Sequence, residues 1–544
     1  MRADTQHFIQ NEEQFHLGFL PTEQPHPATR NMDTVFAQSR EDGVQLLLNV
    51  DRDIVEPARR VFASAEFTVL VKAMRKALVS QSGRIVFSGC GATGRLAVLL
   101  ETMWRKNTGN PTDRVVGIIT GGDFALVKSV ESFEDHCEFG REQVRELDVG
   151  PEDCFVAVSE GGETSSVIGS LEEACERGAR CFFVFNNPAQ ILRERIERAR
   201  RVIDNPQITT LELFSGPMAL AGSTRMQATT FEMLVLGAAL EEAVNGQRLR
   251  VNGQRSRVNV SPFAVDRSPL TVDRYADKFE ALLDHMSGDG IVAQIAAQIE
   301  LEEETYRRGG LVTYYADEFL LDVFTDTTER TPTFMVPGFR KAGDTSVPPS
   351  WAFAKHAVVP SETAWEAMLG RAPRCLEWTR GDYARMDAPE RIIESPPQIN
   401  RAELARFRIG AEDDPERVAD VRCVIDYPFR GTKDDRTGAL SYDKPEDPLR
   451  LFKHLAVKLF FNTVSTGTMA RLGRIKGNWM TFVSASNKKL IDRAVRLVAD
   501  QADVSYETAA DAVFEARESA APGTSPVQAA LAKLPVDNRK LSNK

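Results

Sequence analysis

The stretch Arg84-Ile85-Val86-Phe87-Ser88-Gly89-Cys90-Gly91-Ala92-Thr93-Gly94-Arg95-Leu96-Ala97 constrains the fold more than any other part of the chain. A short β-branched and aromatic run ends in closely spaced serine and glycine. A helical pattern starts at once, with Leu96, Leu99, Leu100 and Met103 on one face. Strand, glycine turn and helix start together aim unpaired backbone N–H groups at an anion, with the helix dipole behind them. Ser88 and Thr93 add two hydroxyl donors, and the glycines, Gly91 and Gly94 among them, let backbone approach a ligand closely. The expectation is a phosphate cradle.

Two common glycine-rich phosphate loops compete with that reading. A Walker loop needs Gly-Lys-Ser/Thr, and no lysine lies between Arg84 and Lys106. The dinucleotide fingerprint matches literally at Gly89, Gly91 and Gly94. About 20 residues on, where an acid should hold the ribose, Asp113 precedes a strand instead of ending one. A dinucleotide is therefore the second choice, and an ordinary tight turn without ligand is the third.

At 544 residues the chain is too long for one core, and about three or four domains are expected. A net charge of −11 argues against broad nucleic-acid or anionic-membrane binding, while leaving room for one local basic pocket. No apolar run approaches the ~20 residues needed to span a bilayer, and Met1–His7 lacks a signal-peptide core. The seven cysteines show no Cys-x-x-Cys spacing, and the histidines show no metal spacing. Free thiols, a reducing cytoplasm, no metal and no cofactor are the expectations.

Residues 1–45 are polar and interrupted by Pro21, Pro25 and Pro27, which suggests an arm that packs on something else or is partly mobile. After a helical pattern over Asp51–Leu78, strands and helices alternate. The strands are Arg84–Ser88, Val115–Thr120, Cys154–Ser159 and Cys181–Asn186, with a helix through Glu131–Leu147 between the second and third. This is the pattern of βαβ units and a mostly parallel sheet. A polar linker is expected at Asn252–Ser268. A second, more irregular block follows, with a long helix through Phe279–Arg307 and strands at Leu311–Tyr315, near Ala357–Val359 and at Arg422–Ile425. From Pro448 onward the chain reads as helices.

Three further turns share the first one's character. They are Thr120-Gly121-Gly122-Asp123, Ser159-Glu160-Gly161-Gly162-Glu163-Thr164 and Gly216–Met226, the last containing Ser223 and Thr224. Loops at the carboxyl ends of parallel strands meet at one crevice, so these turns could surround a phosphate. Ser223 and Thr224 equally suit a helix cap. Glu134 and Asp135 are candidates for acid/base work, or else part of a solvated helix face.

These segments, with Asn462-Thr-Val-Ser-Thr-Gly467 and Ser486-Asn-Lys-Lys-Leu490, resemble the SIS (sugar isomerase) domain family. The branch is the one holding N-acetylmuramic acid 6-phosphate etherases and the glucokinase regulatory protein. The resemblance implies an α/β fold with two flavodoxin-like SIS domains and a helical cap. Residues 1–45 would be the arm, 46–250 the first SIS domain, 251–447 a degenerate second one, and 448–544 the cap. It implies a fructose 6-phosphate-like ligand in the first domain, with Ser88, Gly91, Thr93, Gly94, Ser159, Gly161, Thr164 and Ser223 about its phosphate. It also makes Glu134 a sugar contact or catalytic base, and Lys489 a cap residue reaching back to the ligand.

Three departures shape the functional expectation. Etherases eliminate lactate, which needs one carboxyl as acid and another as base. The acid's position, eight residues after the cradle arginine, is Met103 here, with Glu101 on another helix face. Thr327-Thr328-Glu329-Arg330-Thr331-Pro332-Thr333-Phe334 resembles the etherase segment carrying that acid. Its upstream loop Ala316-Asp317-Glu318-Phe319 has lost every glycine, so Glu329 reads as a relic in preference to part of a composite site. Where the regulatory protein meets its kinase through an apolar patch, Arg471 places a charge, so a sugar kinase partner is not a safe implication. The expectation is a non-catalytic, regulatory phosphosugar-binding protein. The alternative is an etherase-like carbon–oxygen lyase or a phosphosugar isomerase.

Overall fold

Five short runs rich in β-branched and aromatic residues form the first sheet: β1 (Ile85–Gly89), β2 (Val115–Ile119), β3 (Cys154–Val158), β4 (Arg180–Phe185) and β5 (Ile208–Glu212). The structure is a computed structural model, and it describes residues 1–110, 112–248, 273–411, 421–425, 447–483, 485, 487–519, 521 and 524–534. All the pairings are parallel, in the order β2-β1-β3-β4-β5, with Ile85 opposite both Val115 and Cys154. Every residue of β1, β2 and β3 is buried, as a sheet covered by helices on both faces requires. This is the flavodoxin-like order, and its winding reverses between β1 and β3. A ligand crevice is therefore expected beyond the carboxyl ends of those two strands.

Helix α1 (Ala92–Thr108) leaves β1 at once, burying Leu96, Leu99, Leu100 and Met103. Helices α2 (Cys137–Glu146) and α3 (Ser165–Glu176) pack so closely that a Cβ at Gly140 would strike the Ser166 carbonyl. The helix expected over Glu131–Leu147 starts only at Cys137. Glu131–Phe133 is a single 3-10 turn, and Glu134 lies in the connection after it. Helix α4 (Gln227–Arg248) closes this half.

The long helix expected over Phe279–Arg307 breaks at Ser287-Gly288 into Asp273–Met286 and α5 (Asp289–Arg307). Beyond it, β6 (Val312–Ala316) is followed by α6 (Leu320–Phe334), β7 (Ala352–His356), α7 (Ser361–Leu369) and β8 (Val421–Ile425). These strands form a smaller parallel sheet, β7-β6-β8. The strand expected near Ala357–Val359 lies earlier, because His356 Nδ1 accepts from the Val358 and Val359 amides and turns the chain outward. The expected linker at Asn252–Ser268 lies outside the described residues, as does Ser486.

The chain closes with α8 (Leu451–Arg471), a two-residue-per-strand hairpin, α9 (Lys488–Ala502) and two further helices. The N-terminal residues, expected as a polar arm, bury Phe8, Phe15, Leu17, Leu20, Met32 and Phe36. They are tied to α9 through Glu23, which binds Arg493 (2.7 Å) and Arg496 (2.8 Å).

The two halves are joined by buried charge. Glu101 of α1, fully buried, accepts from Arg105 (2.8 Å) and from Arg371 and Arg374 of the second half (2.8 Å each). Asp123 also binds Arg371, and its Oδ2 accepts from the Arg374 amide (2.6 Å). Burial opposes the Glu101 charge, but these arginines outweigh it and hold the carboxyl down at about 2. Removing one partner of such a cluster leaves uncompensated buried charge. Glu101→Gln is expected to cost about 3 kcal/mol or more at pH 7 in chemical denaturation. The folded-state pKa is depressed, so the stability it brings is present above the ordinary carboxylate value of 4.5. The gap between wild type and variant should therefore shrink as pH falls from about 4.5 towards about 2.

Candidate functional site

Beyond the carboxyl ends of β1, β2 and β3 lies a cleft with about 890 Å³ of empty space, part of it open to solvent. Loops of the first half form its floor, α6 of the second half one wall, and α9 of the cap its roof. Gly91 caps α1 at φ 58°, ψ −122°, a conformation that side-chain-bearing residues avoid. It puts Gly91 and Ala92 on the cleft surface at the end where a helix has N–H groups to spare.

The expected contacts divide into two groups. Gly91, Glu134, Thr164, Ser223, Lys489 and Glu329 line the cleft. Ser88, Thr93, Gly94, Ser159 and Gly161 do not line it but shape the loops around it. Ser88 Oγ pairs with Ser170 Oγ (2.9 Å). Thr93 Oγ1 accepts from the Cys90 amide (3.0 Å) and donates to the Cys90 carbonyl (2.8 Å), locking the cradle. Gly94 admits Ile119 so closely that a Cβ would meet its Cγ1 at 2.6 Å. Ser159 Oγ pairs with Thr164 Oγ1 (2.9 Å) and accepts from the Gly162 amide (3.2 Å), and the Gly161 carbonyl accepts from Asn187 (3.1 Å).

Glu134 faces the cleft between two cap residues. Its Oε1 accepts from Lys489 Nζ (2.7 Å) and its Oε2 from Asn487 Nδ2 (3.2 Å). Asn487 is held in turn, because its side-chain oxygen caps α9 by accepting from the Leu490 amide (2.8 Å). Burial alone would lower the Lys489 pKa, but Glu134 and Glu163 outweigh it and raise it well above the ordinary lysine value. Neighbouring Asp135 is pushed up to about 6 by burial and by the charges of Glu134 and Glu163.

Across the cleft stands Glu329. A relic of a degenerate copy was the expectation, but α6 carries this carboxyl into the first half's cleft. There it pairs with Arg95, whose side chain is fully buried. Arg95 also donates to the Ala125 carbonyl (2.7 Å) and Ser129 Oγ (3.3 Å). A Cβ built on Gly91 would stand 4.0 Å from Glu329 Oε1, so cradle and carboxyl are neighbours. Met103 and Glu101 play no part here. The one is packed in the core, and the other is held by its three arginines.

Sequence reasoning missed Arg95, Glu160, Arg225 and Arg493 as cleft residues. Arg225 donates to Asp326 (3.0 Å), Asn462 (3.3 Å), Ser465 (3.2 Å) and Thr466 (3.0 Å), which explains the hydroxyl-rich motif in α8. Burial of Glu160 raises it to about 7. The second half's counterpart loop is tied down by His356 Nε2 against Asp317 (3.3 Å) and by the Glu318–Arg450 ion pair (2.5 Å). Arg471 binds Glu303 (2.8 Å) and the Phe36 and Ala37 carbonyls (3.0 Å each).

Residues 69–175 match the family model of the glucokinase regulatory protein N-terminal SIS domain. The N-acetylmuramic acid 6-phosphate etherase of Rubrobacter xylanophilus is 33% identical over 222 residues, 40% of this chain and 67% of the relative. The etherase of Pectobacterium atrosepticum is 33% identical over 227 residues, 42% and 69% of the two chains. The C-terminal domain of the Francisella tularensis glucosamine-fructose-6-phosphate aminotransferase aligns over 78% of this chain and 96% of its own, at 9% identity and a TM-score of 0.40. The chain belongs to the SIS family, in the branch of the N-acetylmuramic acid 6-phosphate etherases and the glucokinase regulatory protein. The etherase relatives overturn the expectation of a non-catalytic regulator, and with it the leaning against an enzyme. That expectation rested on Met103 and on reading Glu329 as a relic beside the glycine-free Ala316–Phe319 loop.

A phosphosugar seated on the α1 start would stabilise the native state by mass action. At 100 times its Kd an amino-sugar 6-phosphate should add about 2.7 kcal/mol, read as a rise in Tm. Gly91→Ala should abolish that rise and lower the stability of the free protein by about 1–2 kcal/mol through backbone strain.

Proposed function

We propose that this protein is a carbon–oxygen lyase that removes an ether substituent from a phosphorylated N-acetyl amino sugar of the N-acetylmuramic acid 6-phosphate type. One observation carries the reading: Glu134 from the first half and Glu329 from the second line one cleft, beside a helix start suited to phosphate. The etherase names of the relatives supply the substrate class. The α1 amides, with the hydroxyls of Thr164 and Ser223, take the phosphate, and Arg225 and Arg493 add positive charge around the ligand. Seven free cysteines suit a reducing cytoplasm as the setting.

Elimination needs a base at the carbon and an acid at the departing oxygen. Glu134, ion-paired with Lys489 and hydrogen-bonded by Asn487, is the base and takes the C–H proton. The C–H electron pair becomes the double bond, the C–O bond breaks, and Glu329 protonates the departing oxygen. Glu329 stands against the buried Arg95, so the proton it passes to the oxygen has to be brought to it.

Incubation with N-acetylmuramic acid 6-phosphate should release lactate. Glu134→Gln and Glu329→Gln should each lower kcat by about 10²–10⁴-fold, with little change in KM. No release by the wild type overturns the reading, and full activity in Glu329→Gln overturns the composite site.

A further inference from the structure

The proposed elimination leaves open where the proton on Glu329 comes from, and a third carboxyl faces the same cleft. Glu160 lies two residues beyond β3, and its backbone carbonyl accepts from the Asn186 amide (3.0 Å), which fixes the turn. Its residue is 8% exposed, yet the side chain lines the cleft. Oε1 accepts from Thr229 Oγ1 of α4 (3.1 Å). Among the described residues Glu160 makes no ion pair, unlike Glu134 with Lys489 and Glu329 with Arg95.

Behind it, one helical turn beyond Thr229, stands Glu232. It is fully buried, and neither carboxyl oxygen has a hydrogen-bond partner among the described residues. Burial raises its pKa well above the ordinary value, and the charge of Glu160 adds to the rise, against Lys458. Two carboxyls close together in a low-dielectric site disfavour each other's charged form. Of the charged groups acting on Glu160, Lys489 from the cap favours its ionised form and Glu329 opposes it. Burial dominates and brings Glu160 to about 7, where a proton is both held and released.

We propose that Glu160 is the proton store of the site: it holds the proton that Glu329 delivers to the departing oxygen, so that two carboxyls from the two halves work as one acid. This rests on the lyase reading. The proton leaves the Glu160 carboxyl and reaches the Glu329 carboxylate through a hydroxyl of the bound sugar or a water in the cleft. It passes to the ether oxygen as the C–O bond breaks, and the substituent departs as an alcohol. Glu134 meanwhile gains the proton from carbon, so the enzyme ends with one proton moved from Glu160 to Glu134. Exchange with solvent resets both groups. Glu232 stays neutral throughout and keeps a second negative charge away from Glu160.

The test is the pH profile of lactate release by wild type, Glu160→Gln and Thr229→Val. The store must be protonated, so wild-type kcat should fall as pH rises through about 7. Glu160→Gln keeps the shape and the acceptor for Thr229 but cannot hold the proton. It should lose that alkaline limb and about 10²-fold in kcat, with KM nearly unchanged. Thr229→Val removes a hydrogen bond that favours the ionised form, so its limb should move to higher pH; this arm stands even if Glu160→Gln folds poorly. An infrared difference spectrum of unliganded wild type minus Glu160→Gln should show a carboxylic-acid carbonyl band that titrates with the limb. If wild type turns over while Glu160→Gln keeps its rate and limb, or if the band is absent, this proposal falls alone. If wild type releases no lactate, the lyase reading falls and takes the catalytic use of the proton with it.

Discussion

The contact between Arg95 and Glu329 is the constraint on which the rest depends. Arg95 is wholly buried at the start of α1, and Glu329 arrives from α6, in the other half of the chain. A buried guanidinium without a carboxylate would be costly, so the two halves are held in one relative position where the cleft forms. Other contacts serve the same end. Thr328 Oγ1 donates to the Leu126 carbonyl (2.7 Å), one residue before Glu329. Glu101 and Asp123 bind Arg371 and Arg374 further along the interface. The Arg225–Asp326 pair ties the fourth glycine turn to α6, and both to α8.

Both halves contribute side chains to the cleft. The first half supplies the glycine cradle and Glu134, while its α1 packs Met103 into the core. The second half supplies Glu329 on α6, while its own loop after β6 is tied down by Asp317 on His356 and Glu318 on Arg450. Residues of both halves line one cleft. The cap and the N-terminal segment secure the roof. Burial works against the Glu23 charge, yet Arg493 and Arg496 outweigh it and hold Glu23 at about 2, which keeps Arg493 over the cleft.

Much of this was legible in the residues themselves. Buried parallel strands read as continuous apolar runs, and the glycine turn into α1 is a local pattern, so four of the first sheet's five strands and the crevice were legible, while the half-exposed edge strand β5 (Ile208–Glu212) was not. Local patterns say less about which way a hydroxyl points. Ser88 and Thr93 spend theirs on Ser170 and Cys90, and those partners are set by tertiary packing and loop closure. Glu134 was read onto a helix that begins three residues later. The apolar run near Ala357–Val359 misled because a histidine ring turns the backbone there. Glu329 shows the limit most plainly. Its motif was visible, but the side it faces depends on how two domains pack, and no spacing rule within one segment carries that information. Glu160 escaped notice because an acid in a glycine-rich turn reads as solvated until its burial is known.

A crystal structure with the amino-sugar 6-phosphate product bound tests the central claim most directly. The account predicts the phosphate on the amides at the start of α1 and the sugar ring between Glu134 and Glu329, touching residues of both halves. A sugar bound by first-half residues alone, with Glu329 still closed on Arg95 and out of reach, would contradict it.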